Sequence, residues 1–237
     1  MTFDRLRYEL RLLGKPVFLT PVLVVVGFAL LLFLVNRNAY KVAQSMGGSL
    51  EVLLPMAAGV VVATIATYDR AIELQLTMPR KYHRTANTRF LFILLWSALV
   101  SLLTSYLLYV LNFWRLPAQI ANWNQPWQFL AWQLTWLSPT LCLVALGLVL
   151  SLLLRSRSAS GALICVISVG ELVFHQTMDQ DPFYHPVYLF PLTFSPDASY
   201  WLSNRFELLG MAAVLLILAW FLLRTPELLL SHAPGEE

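Results

Sequence analysis

The 237-residue chain is poor in charge: Asp, Glu, Lys and Arg together make 12% of it, about half of the roughly 25% found in an ordinary globular domain. So few charges cannot coat a water-exposed surface. Lysine is nearly missing, with Lys15, Lys41 and Lys81 alone, and none follows a glycine-rich turn. There is no GxxxxGKS or GxxxxGKT phosphate loop, so the chain is not expected to hydrolyse ATP by itself. HExxH, CxxC, GxSxG and DxDxDG are also absent, which removes the usual signatures of metal, redox, nucleophile and calcium-loop chemistry. No catalytic residue and no metal ligand is expected. The two cysteines exclude a disulfide scaffold; Cys142 and Cys165 both lie in apolar runs and read as small buried hydrophobes. A net charge of +3 is too small to indicate nucleic-acid binding.

What the chain has instead is apolar length, with 58% hydrophobic residues. A membrane-spanning helix needs about 20 mostly apolar residues. Six runs qualify: 16–35, 52–68, 90–111, 129–153, 159–174 and 206–223. The fifth is short and contains Glu171. Continuous runs argue against a membrane barrel, whose strands would be short and alternating. The expected fold is all-α and polytopic, a single transmembrane domain over 1–237 with six spans. Basic residues orient it. With the N-terminus inside, the cytoplasmic segments hold Arg5, Arg7, Arg11, Lys15, Arg70, Arg80, Lys81, Arg84, Arg89, Arg155, Arg157 and Arg224, and the outer segments only Arg37, Lys41, Arg115 and Arg205. That bias places both termini in the cytoplasm of a cell-membrane protein. Trp114, Trp123 and Trp127 then flank outer span ends as interfacial anchors. The first run is too long, and its leader too acidic, for a cleavable signal peptide.

Three segments outside the spans carry information. In 3–13, Phe3, Leu6, Leu10 and Leu13 form one stripe and Asp4, Arg7 and Arg11 another, which predicts an amphipathic surface helix in contact with lipid. Gly14 and Pro16 are expected to break it. The inner loop 69–89 reads DRAIELQLTMPRKYHRTANTR, helical until Pro79. There Ile72 and Leu76 face one side, Leu74 and Met78 nearly the opposite side, with Arg70, Glu73 and Thr77 between. Two apolar faces call for two surfaces, the protein's own spans and a cytoplasmic partner; a helix lying flat on its own bundle is the other reading. The outer segment 175–205 contains Pro182, Pro186, Pro191 and Pro196, which forbid a long helix. It is too apolar for a free loop and is expected to fold back over the outer face. His175, Asp179, Asp181 and His185 read as a solvated acidic loop, because their spacing is irregular for a metal site. Glu171 is the one carboxylate well inside a run; it lines a polar path or subunit interface, or it reaches water at the mouth of a short span. Glu51 and Glu207 sit close to outer span ends.

The order of these parts resembles the permease subunits of ATP-binding-cassette (ABC) exporters, in the type-2 permease family. The local pattern behind the resemblance is Glu73-Leu74-Gln75-Leu76-Thr77-Met78-Pro79 followed by basic residues up to Arg89. It is similar to the family's coupling helix ahead of the third span, which docks on a separate ATPase subunit. The resemblance implies that Asp69, Arg70, Ile72, Glu73, Leu74, Leu76, Thr77, Met78 and Pro79 meet that ATPase. ATP and magnesium would belong to the ATPase, with no cofactor in this chain. Two ATPase copies and a second permease copy or sister subunit would complete the assembly. Unlike some family members, the chain has no large extracellular or fused ATPase domain. Few polar groups in the spans favour an amphipathic or hydrophobic substrate; outward direction comes from the resemblance. Two other readings stand beside it: a non-transporting membrane immunity or sensor protein, and a proton-coupled carrier working through Glu171.

Overall fold

A computed structural model describes residues 3–35, 39–65, 82–111, 114, 116–154 and 156–224. Among these residues helix is the regular structure. The long elements are α1 (Phe3–Val35), α2 (Ala39–Ile65), α3 (Tyr82–Val110), α4 (Gln125–Trp132), α5 (Leu134–Leu154), α6 (Arg157–Val173) and α9 (Trp201–Arg224). Between α6 and α9 lie α7 (His175–Gln180), a single 3-10 turn (His185–Val187) and α8 (Pro191–Phe194). Five stretches are long and apolar enough to cross a membrane: Val17–Val35, Ser45–Thr64, Ala86–Val110, Gln125–Leu154 and Trp201–Arg224. This is the architecture of an α-helical membrane protein. The expected fifth span corresponds to α6, whose 17 residues stand at the short end of the roughly 17–25 that a span needs.

Several boundaries differ from the sequence reading. α1 is helical from Phe3 onward and passes through Gly14 and Pro16 without interruption, so the expected break there is corrected. Pro16 forfeits one backbone hydrogen bond, and Gly14 costs about 1 kcal/mol against alanine. The apolar run that follows is long enough to carry the helix through both. The span in α2 begins at Ser45 rather than 52, because Gly47, Gly48, Ser49 and Glu51 are helical and inside the protein. The fourth span is two helices meeting at Gln133. Its side chain takes hydrogen bonds from the Ser105 hydroxyl and the Trp136 indole N–H, both at 2.8 Å, and donates to the Phe129 carbonyl at 3.0 Å. Trp114 is not an outward anchor; it turns inward edge-to-face on Tyr109 and Trp132. Trp123 and Trp127 are exposed. The proposed docking loop from Asp69 to Pro79 lies outside the described residues.

α2 and α5 form the central pair. α9 packs on α5, α6 on α2, and α1 and α3 on the other flank of α2. Two glycines allow the central contact. A Cβ on Gly147 would stand 2.6 Å from the Gly59 carbonyl oxygen, and one on Gly59 would stand 3.0 Å from the Leu143 carbonyl oxygen. Close backbone approach of this kind is how helices gain dispersion contact in lipid, where no hydrophobic force separates them from the solvent. Some span hydroxyls are returned to their own helices: Ser97 donates to the Ile93 carbonyl and Thr104 to that of Val100, both at 2.8 Å. These two add no unmet polarity to the bundle, whereas the buried hydroxyls of Ser101, Thr135, Ser138 and Ser168 have no hydrogen-bond partner among the described residues.

Candidate functional site

Around segment 175–205 the structure brings together three buried ionisable side chains, Glu51, Glu171 and Arg205. Tyr188, Leu189 and Phe190 run through it in non-helical backbone and are buried with Leu192. A buried stretch without helical hydrogen bonds has to find partners for its amides and carbonyls. Side chains from three long helices supply them. From α2, Glu51 accepts the Leu192 N–H at 3.0 Å, the Thr193 N–H at 2.7 Å and the Thr193 hydroxyl at 2.6 Å. From α6, Glu171 accepts the Leu189 N–H at 2.8 Å. From α9, Asn204 donates to the carbonyls of His185 and Tyr188 at 2.6 and 2.8 Å, and Arg205 to that of Leu189 at 3.1 Å.

The cluster is centred on one ion pair. Arg205 Nη2 contacts Glu51 Oε1, and both side chains are 0% exposed. Four donors converge on the Glu51 carboxylate, which matches its acceptor capacity. The guanidinium also lies 5.6 Å from the centre of the Trp201 ring, within cation–π range. Burying two charges is costly; the close pairing and the hydrogen bonds to both groups offset that cost, although Arg205 Nε has no hydrogen-bond partner among the described residues. The pair therefore acts as a clamp. It holds segment 188–193 to α2 and α9 through two residues 154 positions apart in sequence.

Glu171 belongs to the same cluster. It is 8% exposed, and it interacts electrostatically with Arg205 and Glu51. The alternative that it reaches water at the mouth of a span does not describe this placement. Glu207 is exposed on α9 and lies outside the cluster. Asp181 is exposed, as a solvated loop would have it, but His175, Asp179 and His185 are half-buried and packed. His185 stacks on Tyr200 at 3.6 Å and shares a hydrogen bond with the Asp179 carbonyl, while the Tyr200 hydroxyl donates to the Asp179 carboxylate. His175 stacks on Phe194 at 4.2 Å. Outside the spans, burial first, and then the hydrogen bond to Asp179, push the Tyr200 phenol above its ordinary range. Burial and the nearby Glu51 charge do the same to Tyr188.

Of the residues singled out from sequence, the structure thus places Glu171 in the cluster, and Asp69 to Pro79 remain outside the described residues. The clamp itself, Glu51 with Arg205 and Asn204, was not assigned a role. One signal could have found it. In the sequence Glu51 and Arg205 stand immediately before the apolar runs 52–68 and 206–223 with opposite charge, and an unpaired charge beside such a run is unfavourable. No protein-family model matches the chain, and no curated protein matches it either.

Proposed function

We propose that the chain is the membrane-spanning permease subunit of an ABC exporter. In this reading it moves an amphipathic or hydrophobic substrate outward. A separate ATPase drives it by docking on the 69–79 loop, in an assembly of two permease halves and two ATPase copies. The observation that supports the reading best is the broken passage ahead of the last long helix. Short α6 gives way to α7, a 3-10 turn and α8, where a continuous span would be the simpler solution. The same passage is pinned by charge to α2 and α9. A pinned, broken element suits a bundle whose outer end opens and closes as a unit. A resting span would need no such joint.

The mechanism follows from that division of labour. Closure of the ATPase pair on nucleotide supplies the energy difference between states, which a permease without a phosphate loop cannot supply for itself. The motion enters at the inner loop and rocks α2 and α3, the helices on either side of it. The outer segment moves with α2 because Glu51 holds it, and with α6 because Glu171 does. ATP and magnesium stay in the partner.

Purification of the full chain from its native membrane in mild detergent tests the reading. An ABC ATPase is expected to co-elute in amounts comparable to the chain. Glu73→Ala is expected to lower its retention about tenfold, as the loss of ~1.4 kcal/mol of contact energy would. A chain that elutes without any ATPase yet retains its activity contradicts the proposal. If Glu73→Ala changes neither association nor transport, the docking role of that residue is wrong.

A further inference from the structure

The two acids of the buried cluster are served very differently. Glu51 takes four donors, one of them through its ion pair with Arg205. Among the described residues Glu171 takes one donor, the Leu189 N–H at 2.8 Å, and no cation stands within ion-pair distance of it. Yet Glu171 is buried as well, 8% exposed. We propose that Glu171 is a proton-binding site: it holds one proton as a neutral carboxylic acid while residues 188–193 are docked, and gives that proton to water when they lift away. The site needs no ATPase, and its proton belongs to the docked structure; it is not the coupling ion of a carrier.

Three observations carry it. The first is the charge count around Glu171. α2 contributes Glu51, α5 Cys142, α9 Arg205 and the docked segment Tyr188. From α7, His175 meets the Leu172 carbonyl and Asp179 meets the Tyr200 hydroxyl; neither is among the groups that act electrostatically on Glu171. The guanidinium and the Glu51 carboxylate cancel. An ionised Glu171 would leave one negative charge over in an apolar interior, which is unfavourable, and one proton removes it. The second is the donor count. An ionised carboxylate accepts about four hydrogen bonds; Glu51 receives them and Glu171 does not. A carboxylic acid needs fewer donors, and its carbonyl oxygen still accepts the Leu189 N–H. The third is the Tyr188 hydroxyl. It is buried with no hydrogen-bond partner among the described residues and lies within electrostatic reach of Glu171, so the acid O–H has a free oxygen in its neighbourhood and no further anion.

Docking is thereby tied to pH. Once 188–193 lift away, water reaches Glu171 and the acid ionises in the ordinary range of about 4–5. The docked state then binds one proton more than the open state. Docking is strongest at low pH, and each further pH unit weakens it about tenfold until the docked acid ionises as well.

The test is infrared spectroscopy and amide hydrogen exchange on the purified full chain in a carbonyl-free detergent. The range runs from about pH 6 to about pH 9, below the ordinary phenol value of about 10, so Tyr188 and Tyr200 stay protonated. At the acid end the wild type is expected to show a carboxylic-acid C=O band that shifts in D2O, fades toward the alkaline end and is missing from Glu171→Gln. Gln keeps an acceptor for the Leu189 N–H but has no proton to lose. Exchange of the Leu189, Leu192 and Thr193 amides is divided by that of Glu171→Gln at the same pH, which cancels the chemical pH dependence of exchange. The ratio is expected to rise by up to about tenfold per pH unit, and replacing potassium by sodium should not alter it. A band equally strong in Glu171→Gln, or a ratio that stays flat, overturns the proton site. A rise that sodium abolishes also overturns it, in favour of a metal cation. If thermal unfolding shows that Glu171→Gln does not fold, Glu171→Asp takes its place: the band should move in frequency, and an unmoved band overturns the site.

Discussion

At the scale of single residues, the account rests on Glu51 and Arg205. Removing one member of a fully buried pair leaves the other charge without compensation and costs about 3–5 kcal/mol. Glu51→Ala and Arg205→Ala should each lower the unfolding temperature of the detergent-solubilised protein sharply. Glu51→Leu with Arg205→Met should cost less than either single alanine, because no orphan charge remains. A double variant whose loss equals the sum of the two single losses would show that the residues act independently. Tyr200 offers a second check, by pH. Its folded form favours the neutral phenol, held by burial and by Asp179. The sign follows from linkage: the contribution is complete below the ordinary phenol value of about 10 and is lost as pH rises toward the higher folded value. Thermal stability should therefore fall above about pH 10, and Tyr200→Phe should flatten part of that fall. Tyr188, shifted in the same direction by its own burial, accounts for what remains.

At the scale of elements, the close pair is α2 with α5. Gly147→Ala would place a methyl group against the Gly59 carbonyl at 2.6 Å, a backbone atom that cannot step aside. Overpacking of this kind costs about 1–3 kcal/mol, and it should appear as a lowered unfolding temperature. Gly210→Ala, where a Cβ would meet nothing within 4 Å, should be neutral or mildly stabilising through helix propensity. Equal effects at the two positions would contradict the close crossing. Elements were also the most legible part of the sequence. Unbroken runs such as 90–111 and 206–223 name their helices directly, since apolar length is a local property. Legibility failed where long-range pairing decided the outcome. Glu51 next to Gly47 and Gly48 looks like the end of a span. It lies inside one because Arg205, far along the chain, neutralises it. The outer segment was legible as folded, from its aromatic content and prolines. Its anchoring to Glu51, Glu171 and Asn204 was not, because each of those contacts joins residues remote in sequence.

At the scale of the molecule, two features divide the chain by side. One end gathers Glu51, Glu171 and Arg205, the stacked histidines and the short broken helices. The exporter reading assigns the 69–79 loop, between α2 and α3 in the chain, to an ATPase. That assignment requires the loop to be cytoplasmic and residues 175–200 to be outside. Impermeant thiol labelling in intact cells decides it. The background is a chain with Cys142 and Cys165 replaced by alanine; Thr77→Cys and the exposed position Ser199→Cys are added to it one at a time. The account predicts that the Ser199→Cys chain labels in intact cells and that the Thr77→Cys chain labels only after the membrane is opened. Labelling of the Thr77→Cys chain in intact cells would contradict it.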